Sequence, residues 1–295
     1  MGRRPLQSVL SASRRSDIPA FYMPWFMAGI RRGVFTVPHP YTARPATIAA
    51  DVDSVHSIVF WSKDYGPFLA GGYGRRLVDM GYHLFFNFTV NSPDPLLEPG
   101  VPPLPARLRQ IRELTRLVPP AAVQWRFDPV VVYRHPGGAV TDNTGAFEAI
   151  AAVAAACGVR RCITSFMDHY PKVSRRWRGH PGAAFLEPPS EEKIAILRRM
   201  TGILAALDID LYACCEKDLL ADLPPDVPVA PAACIPADLL VAIYGGRLSM
   251  ARDQGQRRSA GCGCRVARDI GSYTDHPCYH NCRFCYANPA PPATE

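Results

Sequence analysis

No run of apolar residues in this chain is long enough to cross a bilayer. The longest, around Ala149 to Val159, falls well short of the roughly 20 residues a spanning helix needs. The opening Met1-Gly-Arg-Arg-Pro lacks a long hydrophobic region and a small-residue cleavage site, so no secretory signal is evident. Both absences lead us to expect a cytoplasmic protein without a membrane partner. Lysine is scarce, and the basic residues are nearly all arginine. Arginine with abundant alanine and proline is also what a GC-rich genome produces. No block of five like charges occurs, only short pairs such as Arg31-Arg32 and Arg175-Arg176. The net charge of +7 therefore lends only weak support to a nucleic-acid partner. No internal repeat is visible. What the chain has is apolar bulk: 48% of its 295 residues are hydrophobic, enough for one large core or two modest ones, and this excludes a disordered chain.

Ten cysteines without a secretory signal argue against a disulfide framework, because cytosolic thiols are kept reduced. Cys157 and Cys162 fall in helix-like and strand-like stretches and read as small buried hydrophobes. Five others crowd between Cys262 and Cys285, which fits metal binding better than core packing. The stretch Cys278-Tyr-His-Asn-Cys282-Arg-Phe284-Cys285 has the spacing C-x3-C-x2-C. Three thiolates on one short loop can hold three corners of a [4Fe–4S] cluster and leave the fourth iron open to another ligand. Zinc sites more often pair C-x2–4-C units or add two histidines. Zinc and bare thiols remain the alternatives.

Cys262-Gly-Cys264 admits more than one role. These two cysteines either complete the first cluster, giving a four-thiolate electron-transfer centre, or join Cys215 and Cys234 around a second iron–sulfur cluster. A third reading leaves them as packed or free thiols. The sequence does not choose.

Short apolar runs alternate with longer amphipathic stretches. Strands are expected at Ser8–Ser13, Val34–Val37, Ser57–Trp61, His83–Val90, Ala122–Asp128, Cys162–Met167 and Asp208–Cys214, and helices at Met23–Arg32, Leu104–Leu117, Ala146–Cys157 and Glu191–Leu207. Ser190 is the expected N-cap of the last helix. Such alternation implies an α/β fold with a parallel sheet, a (β/α) barrel being favoured. Residues 1–250 would form the barrel-like domain, and 251–295 a cysteine-rich segment completing it. The Pro-rich stretches Asn91–Pro105 and Leu223–Pro236 read as surface loops. Polar groups follow the apolar runs: Arg14, Arg15 and Asp17 after the first, Lys63 after the third, Asn87 within the fourth, Arg126 and Asp128 in the fifth, and Asp168 after the sixth. The mouth of a parallel barrel is built from such strand ends. Lys63 and the arginines suit an anionic small-molecule substrate carrying carboxylate or phosphate.

Ser11-Ala-Ser-Arg-Arg-Ser-Asp-Ile-Pro-Ala-Phe-Tyr22, Ile58-Val-Phe-Trp-Ser-Lys63, Trp125-Arg-Phe-Asp-Pro129, and Cys262-Gly-Cys264 through Cys285-Tyr-Ala-Asn288 together resemble the family called domain of unknown function 1848, which carries no established reaction. The cysteine loop also resembles the signature of radical S-adenosylmethionine (AdoMet) enzymes, spore photoproduct lyase among them, including the aromatic position at Phe284. That resemblance implies a cluster on Cys278, Cys282 and Cys285 that chelates AdoMet and yields a 5′-deoxyadenosyl radical, with Phe284 near the adenine. It also implies an electron donor such as flavodoxin or ferredoxin, and leaves nucleic-acid repair or modification as a further reading. The cavity residues would then be Arg126, Asp128, Lys63, Asp168 and Asp17 in catalytic roles, and Arg14, Arg15 and Asn87 with the cofactor. Two departures stand out. No Gly-Gly-Glu segment is present, since Gly71-Gly72 and Gly245-Gly246 lack the acidic follower. In addition, the loop lies late in the chain, with no room for a following helix after Tyr286. Circular permutation would reconcile this, with Arg265–Tyr273 as the strand leading into the cluster loop; the competing reading is a ferredoxin-like tail docked beside an ordinary barrel.

Overall fold

The structure is a computed structural model that describes residues 6–38, 45–171, 173, 182–285 and 287. Arg175-Arg176, Tyr286 and the tail from Asn288 onward, with its expected lack of a helix, lie outside the described residues. Thirteen strands are described: β1 (Ser8–Ala12), β2 (Val34–Pro38), β3 (Pro45–Ala49), β4 (Val55–Ser62), β5 (His83–Thr89), β6 (Val123–Val130), β7 (Val132–Arg134), β8 (Val140–Asp142), β9 (Arg161–Phe166), β10 (Ala184–Leu186), β11 (Asp210–Ala213), β12 (Val229–Pro231) and β13 (Arg268–Asp269).

Eight of them make one parallel sheet in the order β12-β11-β9-β6-β5-β4-β1-β13. Except for β13, spatial order follows chain order. Helices such as Leu104–Leu117 and Ser190–Ala205 carry the chain back between parallel neighbours. β4 and β5 are buried along nearly their whole length rather than on alternate residues, as expected for a parallel sheet covered on both faces. Phe60, Phe85, Phe86, Phe88, Trp125 and Phe127 fill one cluster that extends from Val9 to Ile270 and includes Cys262 and Cys264.

The sheet curls strongly. Asn87 on β5 donates to the carbonyl of Cys234, three residues past β12, at 3.0 Å. In a flat sheet those strands, four places apart, would stand about 19 Å from each other. The expected α/β fold with a parallel sheet is therefore present, whereas a closed barrel is not shown. No ladder joins β12 to β13 among the described residues, and the nearest backbone bond is Arg265 N to Ile235 O at 3.1 Å.

Several local expectations are corrected. Val34–Val37 is extended but pairs antiparallel with β3 as a separate two-stranded sheet, because Gly33 at φ +69 ends the preceding helix in a left-handed turn. The helix expected from Glu191 begins at Ser190, with Pro189 as its cap and no side-chain cap bond. Of Arg265–Tyr273, only Arg268–Asp269 pairs as strand, beside β1. The Pro-rich stretches are not merely surface loops: Asn91, Leu97 and Glu98 are buried, and Leu223–Pro236 contains β12 and buried Cys234. Their backbones are needed under the cysteine loop and beside the sheet edge respectively.

Candidate functional site

A cavity of about 580 Å³ opens at the C-terminal ends of the parallel strands, where a curled α/β sheet presents its loops. The Cys278–Cys285 loop forms one wall. Its left-handed residue is Asn281 (φ 53), a side chain that tolerates this conformation. The loop is fastened by Arg283 N to Leu97 O (2.9 Å), Gly100 N to His280 O (3.0 Å) and Cys285 N to Cys282 O (3.1 Å). His280, inside the loop, places Nε2 2.8 Å from Asp17 Oδ2 and Nδ1 3.1 Å from Gly100 O. With both ring nitrogens facing acceptors, the charged form of the imidazole is favoured. Burial works against this, but the Asp17 hydrogen bond and charge outweigh it and raise the His280 pKa.

Cys278, Cys282 and Cys285 all line the cavity. Burial pushes Cys278 up to about 12 and Cys282 well above the ordinary thiol range. A neighbouring cation, or a metal ion, is what such buried thiols need in order to ionise. Lys63 supplies one positive charge. Its Nζ bonds Glu98 Oε1 at 2.6 Å and stands 5.3 Å from the centre of the Phe284 ring. Burial alone would lower the Lys63 pKa, but Glu98, and after it Cys282, raise it. Phe284 packs with Leu97, Val131, Tyr133 and Cys282 in a small satellite cluster.

Strand ends supply the rest. Arg126 pairs with Asp128, which also accepts from Ser165, and Arg126 Nη1 lies 2.6 Å from Cys234 Sγ. Burial opposes both charges, yet each holds the other ionised: Asp128 is lowered and Arg126 raised well above its usual value. Asp17 accepts from Ser62 Oγ and Lys63 N, both at 2.9 Å. Arg14 Nη1 bonds Asp253 at 3.2 Å, and Arg15 Nη1 bonds Gly271 O at 2.9 Å.

Cys215, Cys234, Cys262 and Cys264 form the opposite wall, joined by Cys214. Cys214 Sγ is 3.7 Å from Cys215 Sγ and 4.0 Å from Cys234 Sγ. Cys215 with Cys262, Cys262 with Cys264, and Cys264 with Cys234 are close enough to perturb one another's ionisation. Hydrogen bonds from Cys234 and Cys262, and then the Arg14 charge, lower Cys264. Cys262 and Cys264 thus stand with the β11–β12 thiols and not with the C-x3-C-x2-C loop. Among the described residues, no group of three or more Cys, His, Asp or Glu side chains is arranged so that it could hold a metal ion as it stands.

Of the residues the sequence pointed to, Arg14, Arg15, Asp17, Lys63, Arg126, Asp128, Asp168 and Phe284 line the cavity with both cysteine sets. Asn87 does not. It is fully buried one layer deeper, between Cys234 O and Gln124 Nε2 (3.1 Å), while Thr89, two residues on and on the same strand face, reaches the cavity. Asp168 sits at the exposed rim, paired with Arg257. Sequence reasoning passed over His280, although it lies inside the motif, and left Cys214 out of the second cysteine set, although it is adjacent to Cys215. Glu98, Asp269 and Ser165 carried no sequence signal, since only the fold brings them to their partners. Asp269 ties β13 to β1, accepting from Ser11 Oγ and Ser13 Oγ, both at 2.7 Å, and from Arg14 N at 3.0 Å.

Fold and site together define an α/β protein with a cysteine-walled, charge-lined cavity at the C-terminal end of its parallel sheet. The chain belongs to the family described as Domain of unknown function (DUF1848), whose model matches residues 9–287. No curated protein and no solved structure matches it. No helix among the described residues is long and apolar enough to cross a membrane.

Proposed function

We propose that this chain is an iron–sulfur enzyme of the radical AdoMet type acting on a small anionic substrate, with Cys278, Cys282 and Cys285 holding three corners of a [4Fe–4S] cluster. The observation that carries this reading is the cavity itself: one loop brings three cysteine side chains to the same space as the charged strand ends. The donor set fits the group, being all sulfur, from one loop, and lining the cavity. The cluster with AdoMet would supply one-electron chemistry on an unactivated carbon.

The chain's own residues bind, orient and exclude water. The Asp17–His280 pair fixes the loop, and buried Glu98 holds Lys63 against Phe284. Arg14, Arg15 and Lys63 offer donors to a carboxylate or phosphate. The Arg126–Asp128–Ser165 group presents a fixed carboxylate that stays ionised at neutral pH and so accepts hydrogen bonds from a substrate hydroxyl or amine. The placement of β13 beside β1, immediately before the loop, suits a permuted barrel in which the C-terminal strand leads into the cluster. A small donor such as flavodoxin or ferredoxin would deliver the electron.

The test is anaerobic reconstitution followed by iron and sulfide quantification, with EPR of the reduced protein before and after AdoMet. Four irons on the loop and a spectrum shifted by AdoMet are expected. A spectrum indifferent to AdoMet would replace the enzyme reading with an electron carrier. Strongly salt-dependent DNA affinity would favour nucleic-acid processing instead.

A further inference from the structure

The second wall of the cavity is built from three separate pieces of chain. Cys214 and Cys215 follow β11, Cys234 follows β12, and Cys262 and Cys264 precede β13. Adjacent residues in an extended chain point to opposite sides, yet Cys214 and Cys215 both face the cavity. Cys215 achieves this with a left-handed backbone, φ 62, which a non-glycine residue adopts at a cost. Gly263 separates Cys262 from Cys264, and a Cβ there would lie 2.6 Å from Ala232 O. Only glycine lets the C-x-C turn approach the chain beyond β12 closely enough to bring its thiols to Cys234. Two arginines back the group: Arg126 Nη1 at 2.6 Å from Cys234 Sγ, and Arg14 with its charge beside Cys264.

We infer that these five cysteines form a second metal centre, one in which a single tetrahedral ion of the zinc class is held by four of the thiolates. Spacing argues for one ion over a cube. Four sulfurs at about 2.3 Å around a tetrahedral ion stand about 3.8 Å apart, and Cys214 Sγ stands 3.7 Å from Cys215 Sγ and 4.0 Å from Cys234 Sγ. A [4Fe–4S] cube spreads its outer thiolates well beyond such contact, so the auxiliary iron–sulfur cluster suggested by the sequence fits this wall less well. Four thiolates around a divalent ion carry a net charge of −2, and Arg14 and Arg126, each also paired with an aspartate, set cationic donors beside it in a buried setting.

The location also assigns a role. β12 and β13 are the two edges of the curled sheet, and no ladder joins them among the described residues. An ion gripping thiols from both edges closes the ring that backbone hydrogen bonds leave open, and its binding free energy becomes folding free energy.

The experiment uses the full chain with C278S/C282S/C285S, which removes the loop thiols, so the outcome is independent of the proposed enzymatic cluster. Purified anaerobically, this variant should hold about one zinc per chain. Zinc exchanged for cobalt(II) should give thiolate-to-cobalt charge-transfer and tetrahedral d–d bands, and a thiol-modifying mercurial should release the zinc and lower the melting temperature. Adding Cys264→Ser should weaken zinc retention at least tenfold, while adding Cys157→Ser should not. The mercurial release needs no substitution in the second wall, so it stands even if the Cys264 variant fails to fold. A folded triple variant without stoichiometric metal, or one holding iron with sulfide in place of zinc, overturns the inference. So does full zinc retention when Cys234 and Cys264 are both serine.

Discussion

His280 Nε2 lies 2.8 Å from Asp17 Oδ2, joining the middle of the cysteine loop to the chain just past the first strand, and both side chains are almost wholly buried (3% and 7% exposed). This contact fixes the loop from outside, through residues that are not themselves thiols. Asp17→Ala should therefore cost roughly 3–5 kcal/mol, the usual result of stripping one partner from a buried charge pair. It should also lower the iron taken up on reconstitution, although every cysteine remains. His280→Gln, which keeps a donor toward Asp17, should lose less of both. Chemical denaturation and iron analysis of the two variants together provide the check.

Gly100 packs against the same loop. A Cβ there would sit 2.7 Å from Tyr279 O and 2.8 Å from His280 O, and backbone carbonyls cannot rotate away as a side chain can. Gly100→Ala should push the loop outward, reducing both thermal stability and cluster occupancy. Gly137→Ala, where nothing lies within 4 Å, should change neither.

Lys63 and Glu98 form a pair with side chains 15% and 3% exposed. Glu98→Ala leaves the ammonium without its counter-charge in a dry setting and should destabilise the fold by roughly 3–5 kcal/mol. The double variant Lys63→Met/Glu98→Leu should recover only part of that loss, because it removes the desolvation cost of both charges but leaves buried Arg107, 4.0 Å from Glu98, without its counter-charge. A double-variant cycle by urea denaturation measures it, and equal losses in the single and double variants would refute it.

Loss of any one loop thiol should remove the cluster. Cys278→Ala, Cys282→Ala and Cys285→Ala should each abolish the broad iron–sulfur absorbance of the reconstituted protein. Cys157→Ala should leave it intact, since Cys157 packs against the core away from the cavity. Full iron in the Cys282 variant would refute the ligand assignment.

Far from the cavity, His56 lies buried between Ser57 Oγ (2.7 Å) and Gly245 O (2.8 Å). Burial, the largest influence, lowers its pKa from 6.5. The unfolded chain thus takes up a proton at pH values where the folded chain does not, so this group's contribution to stability is present above about pH 6.5 and declines as the pH falls below it. His56→Gln should flatten that decline. Urea midpoints of the two proteins measured on either side of about pH 6.5 test the sign.

Much of the scaffold could be read from the chain. Ile58–Trp61 is a continuous apolar run and Leu84–Phe88 is broken only by Asn87, as burial on both faces requires, and helices Met23–Arg32 and Leu104–Leu117 fall where their periodicity places them. Strand alternation could not say that Thr89 reaches the cavity while Asn87 stops a layer below, because depth along a curled sheet is set by its shear and not by residue type. Asn91–Pro105 read as surface because proline and glycine punctuate it, yet its backbone and Glu98 are covered once the cysteine loop packs on them.

The sequence by itself determined that this protein has an α/β sheet, that half of its cysteines crowd between Cys262 and Cys285, and that charge gathers where strands end. These follow from local spacing and hydrophobic pattern, which act over a few residues. Only the tertiary structure decided that Cys214, Cys215 and Cys234 meet Cys262 and Cys264, and that Lys63 meets Glu98 and His280 meets Asp17. Such pairings join segments from 20 to 263 residues apart, and their formation depends on how the sheet curls and which edges it brings together.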